Sequence, residues 1–386
     1  MDRSELIFIG LGGAGGRLVD SIVEINPMFQ SFYINTSMTD LESLDSFNDV
    51  TKNYFCISTQ NGVGRNRDLG KEFAKQYGYN IIDRILKFQQ DTIYLVSSLG
   101  GGSGSSILSV LLSALEDIKE DGGFNKTINL IGILPDLKSS DVILRNAEES
   151  WKEIITNKAI TSMIFVDNNS LLYSIPTANE RELAINEKFA TTFDSIFDIP
   201  EVNGINFDNG NLSNILKDKG CLYFYNLPSD CTSIEVAMSK AEKLGVLPKM
   251  FITPKNSVEL NDGTKAIKCG YLGISFNNEN YKKEYVSKHY KAIKEQYVGY
   301  NEDTNLILIS GCLPPFNAIK SIEYELQDRE KSKETNELDY SAYMTGFKIE
   351  REENEIDAKR DVVETVVKRK GNQIVKKAMK KNLFKK

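Results

Sequence analysis

The sequence holds one histidine, His289, in 386 residues. It lies in a lysine-rich, helix-like stretch and reads as a surface residue, which argues against chemistry built on a histidine base or on several histidine metal ligands. Five cysteines, Cys56, Cys221, Cys231, Cys269 and Cys312, are scattered, odd in number and never spaced C-x-x-C. That pattern speaks against a disulfide framework or a zinc site and for plain buried thiols. No stretch approaches the roughly 20 apolar residues a membrane span requires. The opening Met1-Asp2-Arg3-Ser4-Glu5 lacks the basic start and long apolar run of a secretory signal. The expected location is the cytoplasm.

Hydrophobic residues make up 41% and charged residues 26%, a globular composition, and the length allows two domains. The net charge of −7 is unevenly spread: residues 368–386 carry nine Lys or Arg and no acid, so without them it is −16. A basic tail on an acidic body reads either as a partner-binding arm or as a solvated end.

Residues 6–9, 32–35, 92–96, 128–134 and 162–166 are short apolar runs and read as strands. They alternate with helix-like segments at 17–25, 71–88, 107–119 and 147–156. Such alternation predicts an α/β fold with a mostly parallel sheet covered on both faces, and ligands on such sheets bind beyond the carboxyl ends of the strands. A long helix is expected over 180–197. A smaller α+β region follows, with strands at 222–225, 250–253, 268–276 and 306–310 and helices at 232–244 and 281–296. The remaining residues, rich in Glu, Lys and Arg, predict one long exposed helix frayed near Gly371. The expected division is 1–179 for a nucleotide-binding domain, 180–200 for a core helix, 201–313 for the smaller domain and 314–386 for a C-terminal helix with its basic tail.

Two glycine loops carry the functional reading. Gly10-Leu11-Gly12-Gly13-Ala14-Gly15-Gly16 follows the first strand and opens a helix. Glycine lets backbone N–H groups approach phosphate, and the helix N-terminus favours an anion. Taken alone, the loop also fits the dinucleotide pattern G-x-G-x-x-G through Gly10, Gly12 and Gly15, so an NAD-type oxidoreductase stays open. The second loop, Gly100-Gly101-Gly102-Ser103-Gly104-Ser105, again joins a strand to a helix, and its Ser103 and Ser105 hydroxyls could bond phosphate or its metal. Two helix N-termini at one end of a sheet suit a di- or triphosphate. The chain lacks G-x-x-x-x-G-K-[ST], so it is not a P-loop protein, and its second strand ends in Asn35-Thr36-Ser37 rather than the ribose-binding acid of a dehydrogenase.

Residues 100–105 resemble the tubulin signature G-G-G-[ST]-G-[ST], and further matches follow in the order of the tubulin/FtsZ superfamily over roughly residues 5–312. The resemblance implies a tubulin/FtsZ-like fold and a GTPase that uses GTP/GDP and Mg²⁺. It places Gly12, Gly13, Ala14, Asn35, Gly64, Arg65, Asn66 and residues 100–105 around the phosphates, Asp141 and Arg145 near the ribose, and Asn168 and Asn186 on the guanine edge. Arg65 and Arg67 could add charge near the γ-phosphate or form surface ion pairs. The loop at 203–210 stands where the family keeps its hydrolysis loop. Asn206 and Asn209 occupy the two acidic positions of N-x-D-x-x-D, Asp208 is the loop's one carboxylate and the expected catalytic acid, and Glu201 is a weaker choice outside it. No metal-ligating side chain is assigned. In this family one subunit completes the next one's site, which implies a head-to-tail filament. The composition and basic helical tail are most similar to the TubZ group of plasmid- and phage-borne partition filaments, with a small DNA-binding adaptor as the implied tail partner and direct DNA contact as the lesser alternative. A tubulin-fold protein that binds without hydrolysing, and a role in cell division, also stay open.

Overall fold

All six residues of Leu6–Leu11, β1, are buried, and the strand pairs in parallel on both sides, so it lies in the interior of a sheet. Its side chains alternate between faces: Ile7, Ile9 and Leu11 enter one core, Leu6 and Phe8 the other. The computed structural model describes residues 1–57, 62–123, 125–172, 174–199, 207–300 and 303–336. Within them the nucleotide half continues as α1 (Gly12–Ile25), β2 (Gln30–Asn35), α2 (Met38–Glu42), β3 (Tyr54–Cys56), α3 (Arg67–Leu86), β4 (Thr92–Ser98), α4 (Ser103–Glu120), β5 (Thr127–Leu134), α5 (Asp141–Thr156) and β6 (Ile160–Asp167). The core helix α6 (Ala178–Ser195) follows, then α7 (Asn209–Leu216), β7 (Gly220–Asn226), α8 (Ile234–Leu244), β8 (Ser257–Glu259), β9 (Lys265–Ser275), α9 (Lys283–His289), β10 (Tyr290–Gly299), β11 (Leu306–Cys312) and α10 (Phe316–Asn336).

The strands form one sheet in the order β10-β9-β11-β7-β6-β5-β4-β1-β2-β3, with β8 hairpinned onto β9. From β3 to β7 every pairing is parallel; β11 runs antiparallel to both β7 and β9. The two halves meet at β6 and β7 through two residue pairs, Ser162 with Gly220 and Met163 with Cys221. Helix α6 reinforces this narrow seam. Its Phe193 lies 5.7 Å, centroid to centroid, from Phe8 of β1, and its Phe189 lies 5.7 Å from Phe224 of β7. Residues Met1–Arg329 gather into one compact unit, which ends within α10.

Two expectations for the second half are corrected. Residues 250–253 are not a strand: Phe251 and Ile252 are about half exposed, and the segment is held by Asn256, whose Oδ1 accepts from the Thr253 N–H at 2.7 Å. Residues 281–296 are not one helix. Helix α9 stops at His289 and the chain becomes β10, an edge strand parallel to β9. A parallel pair needs a crossover, and α9 with its flanks supplies it. Lys291, Lys294 and Glu295 on this edge hid the strand's alternation; charge on an exposed edge discourages pairing with another chain. His289 is exposed, as expected. The start of the expected C-terminal helix is α10; the rest of it, residues 337–386 with Gly371 and the basic tail, lies outside the described residues. No described helix is long and apolar enough to cross a membrane.

Candidate functional site

Helix α1 begins at Gly12, directly after the last strand residue, with φ +68° at Gly12. Sequence periodicity placed this start five residues later, because the glycines that wind the first turn carry no hydrophobic signal. A Cβ on Gly12 would stand 2.6 Å from the Gly104 nitrogen, and one on Gly15 would collide with the Val96 carbonyl. These glycines are therefore demanded by the close packing of α1 on β4 and α4, which brings two helix N-termini together. The loop at 62–66 joins them: a Cβ on Gly102 would come within 2.5 Å of the Arg65 Cα. Arg65 holds φ +68°, a left-handed conformation costing roughly 1–2 kcal/mol for a residue with a side chain. Asn146 of α5 pins it, donating from Nδ2 to the Arg65 carbonyl at 3.1 Å and to the Gly100 carbonyl at 3.3 Å.

Below these loops lies a cleft of about 340 Å³, walled by Ala14 and Arg17 of α1, Gly100 and Gly101, Arg65, Pro135 and Asp136 after β5, Asn168 after β6, and Arg181 and Glu182 in the first turns of α6. Among the lining residues, Asn168 has a buried side-chain oxygen with no hydrogen-bond partner. The backbone of Asn168 is fixed by its N–H to the Leu134 carbonyl at 3.3 Å and by Arg181 Nε, which donates to its carbonyl at 3.2 Å. Its neighbour Asn169 is spent on the loop itself, donating to the Pro135 carbonyl at 3.0 Å and to Asp167 at 2.8 Å. Burial pushes the Asp167 carboxyl above its ordinary range, against the bonds from Asn169. Arg181 is buried, and its remaining nitrogens donate to the Ile175 and Pro176 carbonyls and to Asp136. It shapes the wall rather than offering charge.

Of the residues expected here, Ala14, Arg65, Gly100, Gly101 and Asn168 line the cleft. Gly12, Gly102 and Gly104 build its roof by packing, and Gly13 stands beside Arg17. Gly64 holds φ +56° in the adjoining loop, and Asn66 caps α3, accepting from the Leu69 N–H at 3.1 Å. Asn35 orders the turn after β2 by accepting from the Thr36 N–H at 2.7 Å; Thr36 in turn bonds the Ser103 hydroxyl at 2.7 Å. Asn186 is buried on α6, one turn beyond Glu182.

Other expected residues are placed away from the cleft lining or engaged in the scaffold. The Ser105 hydroxyl is turned from the cleft: it donates to the Gly101 carbonyl and accepts from Arg67 Nε at 3.1 Å. Arg67 is buried and bound to Glu149 and Glu153 at 2.9 and 2.5 Å, so its charge is consumed in the scaffold. Asp141 and Arg145 do not line the cleft. Asp141 pairs with Arg329 of α10 at 3.0 Å, and the cleft's carboxylates are Asp136 and Glu182. Asp208 is the N-cap of α7 in a reciprocal capping box with Asn211, at 2.8 and 2.9 Å; Asn209 is the first residue of that helix. Asn206 and Glu201 lie outside the described residues. Arg17, Asp136, Asn146, Arg181 and Glu182 were missed. The adjacency of Asp136 to Pro135 and the position of Glu182 one turn before Asn186 were the available signals.

Residues 5–176 match the Tubulin/FtsZ family, GTPase domain. The Tubulin-like protein TubZ of a Clostridium botulinum C phage is 25% identical over 338 residues, 86% of this chain and 85% of that protein. The fold superposes on the crystal structure of Clostridium botulinum phage c-st TubZ with a TM-score of 0.70 at 22% identity, covering 86% of this chain and 100% of the other. It superposes on the GTPγS-form protofilament of Bacillus thuringiensis serovar israelensis TubZ with a TM-score of 0.66 at 15% identity, covering 86% and 93%. Signature loops, interlocked helix N-termini and overall superposition agree: residues 5–176 match the Tubulin/FtsZ family GTPase domain, and the chain has the fold of TubZ.

Proposed function

We propose that this protein binds GTP in the cleft, hydrolyses it to GDP and phosphate when subunits stack head to tail, and works as a filament that segregates plasmid or phage DNA. The observation that carries the nucleotide assignment is the orphaned oxygen of Asn168, a residue that lines the same cleft as Ala14 of α1 and the Gly100-Gly101 loop before α4. A buried acceptor without a partner calls for a donor. Guanine offers N1–H and its 2-amino group on that edge; adenine offers an acceptor at N1. The helix N-termini and the accessible backbone of Gly101 suit the phosphates. Mg²⁺ would be held by phosphate oxygens and water, its usual shell, and would neutralise phosphate charge. Arg65 adds a cation from the cleft wall. Catalysis of this kind is positioning and electrostatic stabilisation, with Asp208, Asn206 and Asn209 of the neighbouring subunit as the water-positioning group. The division at 179, 200 and 313 follows from the same reading and is supported by the two-pair seam between β6 and β7.

The test is 90° light scattering on adding GTP and Mg²⁺, with released phosphate followed in the same sample. The expected result is a scattering rise with phosphate release climbing above a threshold protein concentration. Scattering without phosphate would favour a second reading, a polymer that binds GTP without turnover, which the engagement of Asp208 as a helix cap supports. Absence of both signals would overturn the proposal.

The basic residues 368–386 are the proposed contact for a DNA-binding adaptor or, less directly, for DNA phosphate. Deleting them is expected to abolish co-sedimentation of filaments with adaptor-bound DNA while leaving GTP-driven polymerisation unchanged; undiminished co-sedimentation would refute the assignment.

A further inference from the structure

A purine is a flat, weakly hydrated ring system, and a cleft that holds one normally offers it a flat face as well as an edge to read. Among the described residues lining this cleft none is aromatic. Asn168 supplies an edge contact, and Arg181, the buried cation beside it, has its nitrogens committed to carbonyls and Asp136. Two guanidinium planes on the lining remain, Arg65 in the loop packed on Gly102 and Arg17, the first residue after the glycines of α1; of these, Arg17 has its plane set by a carboxylate.

The Arg17 side chain is held by a single partner on the same cleft lining. Its Nε and Nη2 donate to the same oxygen of Glu182 at 2.9 and 2.7 Å. The grip is on one edge of the guanidinium, which fixes the plane and leaves both faces uncovered by that bond. On the other side, a Cβ built on Gly13 would approach Nη1 to 3.3 Å, so the glycine leaves room for the group at the loop. The two side chains are 48% and 26% exposed. An ion pair that open contributes at most about 1 kcal/mol to stability, so the fold gains little from an arginine and a glutamate meeting at the cleft lining from α1 and α6. Guanidinium planes are weakly hydrated and stack on flat π-systems, nucleic-acid bases included.

We propose that the Arg17–Glu182 pair is the platform on which the nucleotide base lies: Arg17 provides the stacking face and Glu182 sets its plane in advance, while Asn168 reads the edge. This rests on the guanine-nucleotide reading above. It makes Arg17 a base-binding residue and Glu182 a positioning residue. It also separates affinity from specificity, because a stacking face is indifferent to the substituents on the purine edge and Asn168 is not.

The experiment is calorimetric titration of the full chain with GDP and with IDP, which lacks the 2-amino group, so that assembly does not intrude. Failure of the unmodified protein to bind GDP would overturn the guanine-nucleotide reading itself, apart from anything Arg17 does. Given binding, Arg17→Ala is expected to weaken GDP and IDP by the same factor, roughly ten-fold, in the range found when base-stacking side chains are truncated. Arg17→Lys keeps the charge without the plane and is expected to stay as weak as the alanine variant. The double variant Arg17→Tyr with Glu182→Gln restores a plane without a charge and is expected to recover most of the lost affinity. An unchanged Arg17→Ala overturns the proposal. So does any series in which the tyrosine variant fails to bind better than the lysine variant, which would make Arg17 a phosphate contact or a purely structural residue.

Discussion

Replacing Asn168 with alanine is expected to weaken GDP binding about 100-fold, equivalent to roughly 2.7 kcal/mol, while leaving the ligand-free protein at least as stable as before. The two halves of this result have one cause. In the ligand-free protein the Asn168 oxygen is buried and unpartnered, and such an atom costs about 1–3 kcal/mol of desolvation. Alanine removes that cost along with some packing. In the complex the guanine N1–H and 2-amino group would be the missing donors, and without the asparagine they are themselves left unpaired. Sites built to hydrogen-bond a ligand lose the most when one partner is deleted. The readouts are GDP affinity by calorimetry and the melting temperature with and without GDP. The unmodified protein should gain melting temperature on adding GDP, because a ligand that binds the native state stabilises it by mass action, and Asn168→Ala should gain little. Undiminished GDP affinity in Asn168→Ala would remove the observation on which the guanine assignment stands.

The second large effect concerns Asp208, where two roles must be separated. Its carboxylate caps α7, accepting from the Asn211 N–H at 2.8 Å, while Asn211 returns a bond to the Asp208 N–H at 2.9 Å. Alanine there would lose the cap, at about 1 kcal/mol, and any catalytic role together. Asparagine and serine keep a capping oxygen and remove the charge. If Asp208 also positions water at the neighbouring subunit's GTP, Asp208→Asn and Asp208→Ala should both lower phosphate release per assembled subunit by about 100-fold or more, the scale on which general acid–base and charge-stabilising groups act. GDP affinity should be unchanged, and GTP filaments should persist where those of the unmodified protein disassemble. A capping role alone predicts a different series: normal turnover in Asp208→Asn and a modest loss of melting temperature in Asp208→Ala. Phosphate release and pelleting of the three variants side by side distinguish these outcomes.

Much of the nucleotide half was legible because its strands are buried on both faces and read as continuous apolar runs ended by glycines. Periodicity fails at the helix starts. Helix α1 opens in glycines, α4 in Ser103 and Gly104, and α5 in Asp141, none of which carries an apolar signal. In the second half the pattern misled. Tyr281, Tyr285 and Val286 have helical spacing, yet the free edge of β9 took the following residues as a strand. The apolar 250–253 segment became an exposed loop because β8, just beyond it, pairs with β9.

The sequence by itself determined the class of fold: two glycine-rich loops, each between an apolar strand and a helix, in an order that resembles the tubulin/FtsZ superfamily, with Asn168 placed directly after β6. These are local patterns, and a local pattern survives without knowledge of the fold. Which side chains face the cleft was decided by tertiary structure alone. Arg17 and Glu182 meet across 165 positions of sequence, Arg67 is drawn inward by Glu149 and Glu153, and Asp141 is drawn off by Arg329. A charge placed near a site by the chain order can still be neutralised by a partner far along the chain. Only packing reveals which charges are consumed and which polar atoms, like the Asn168 oxygen, are left without a partner in the fold.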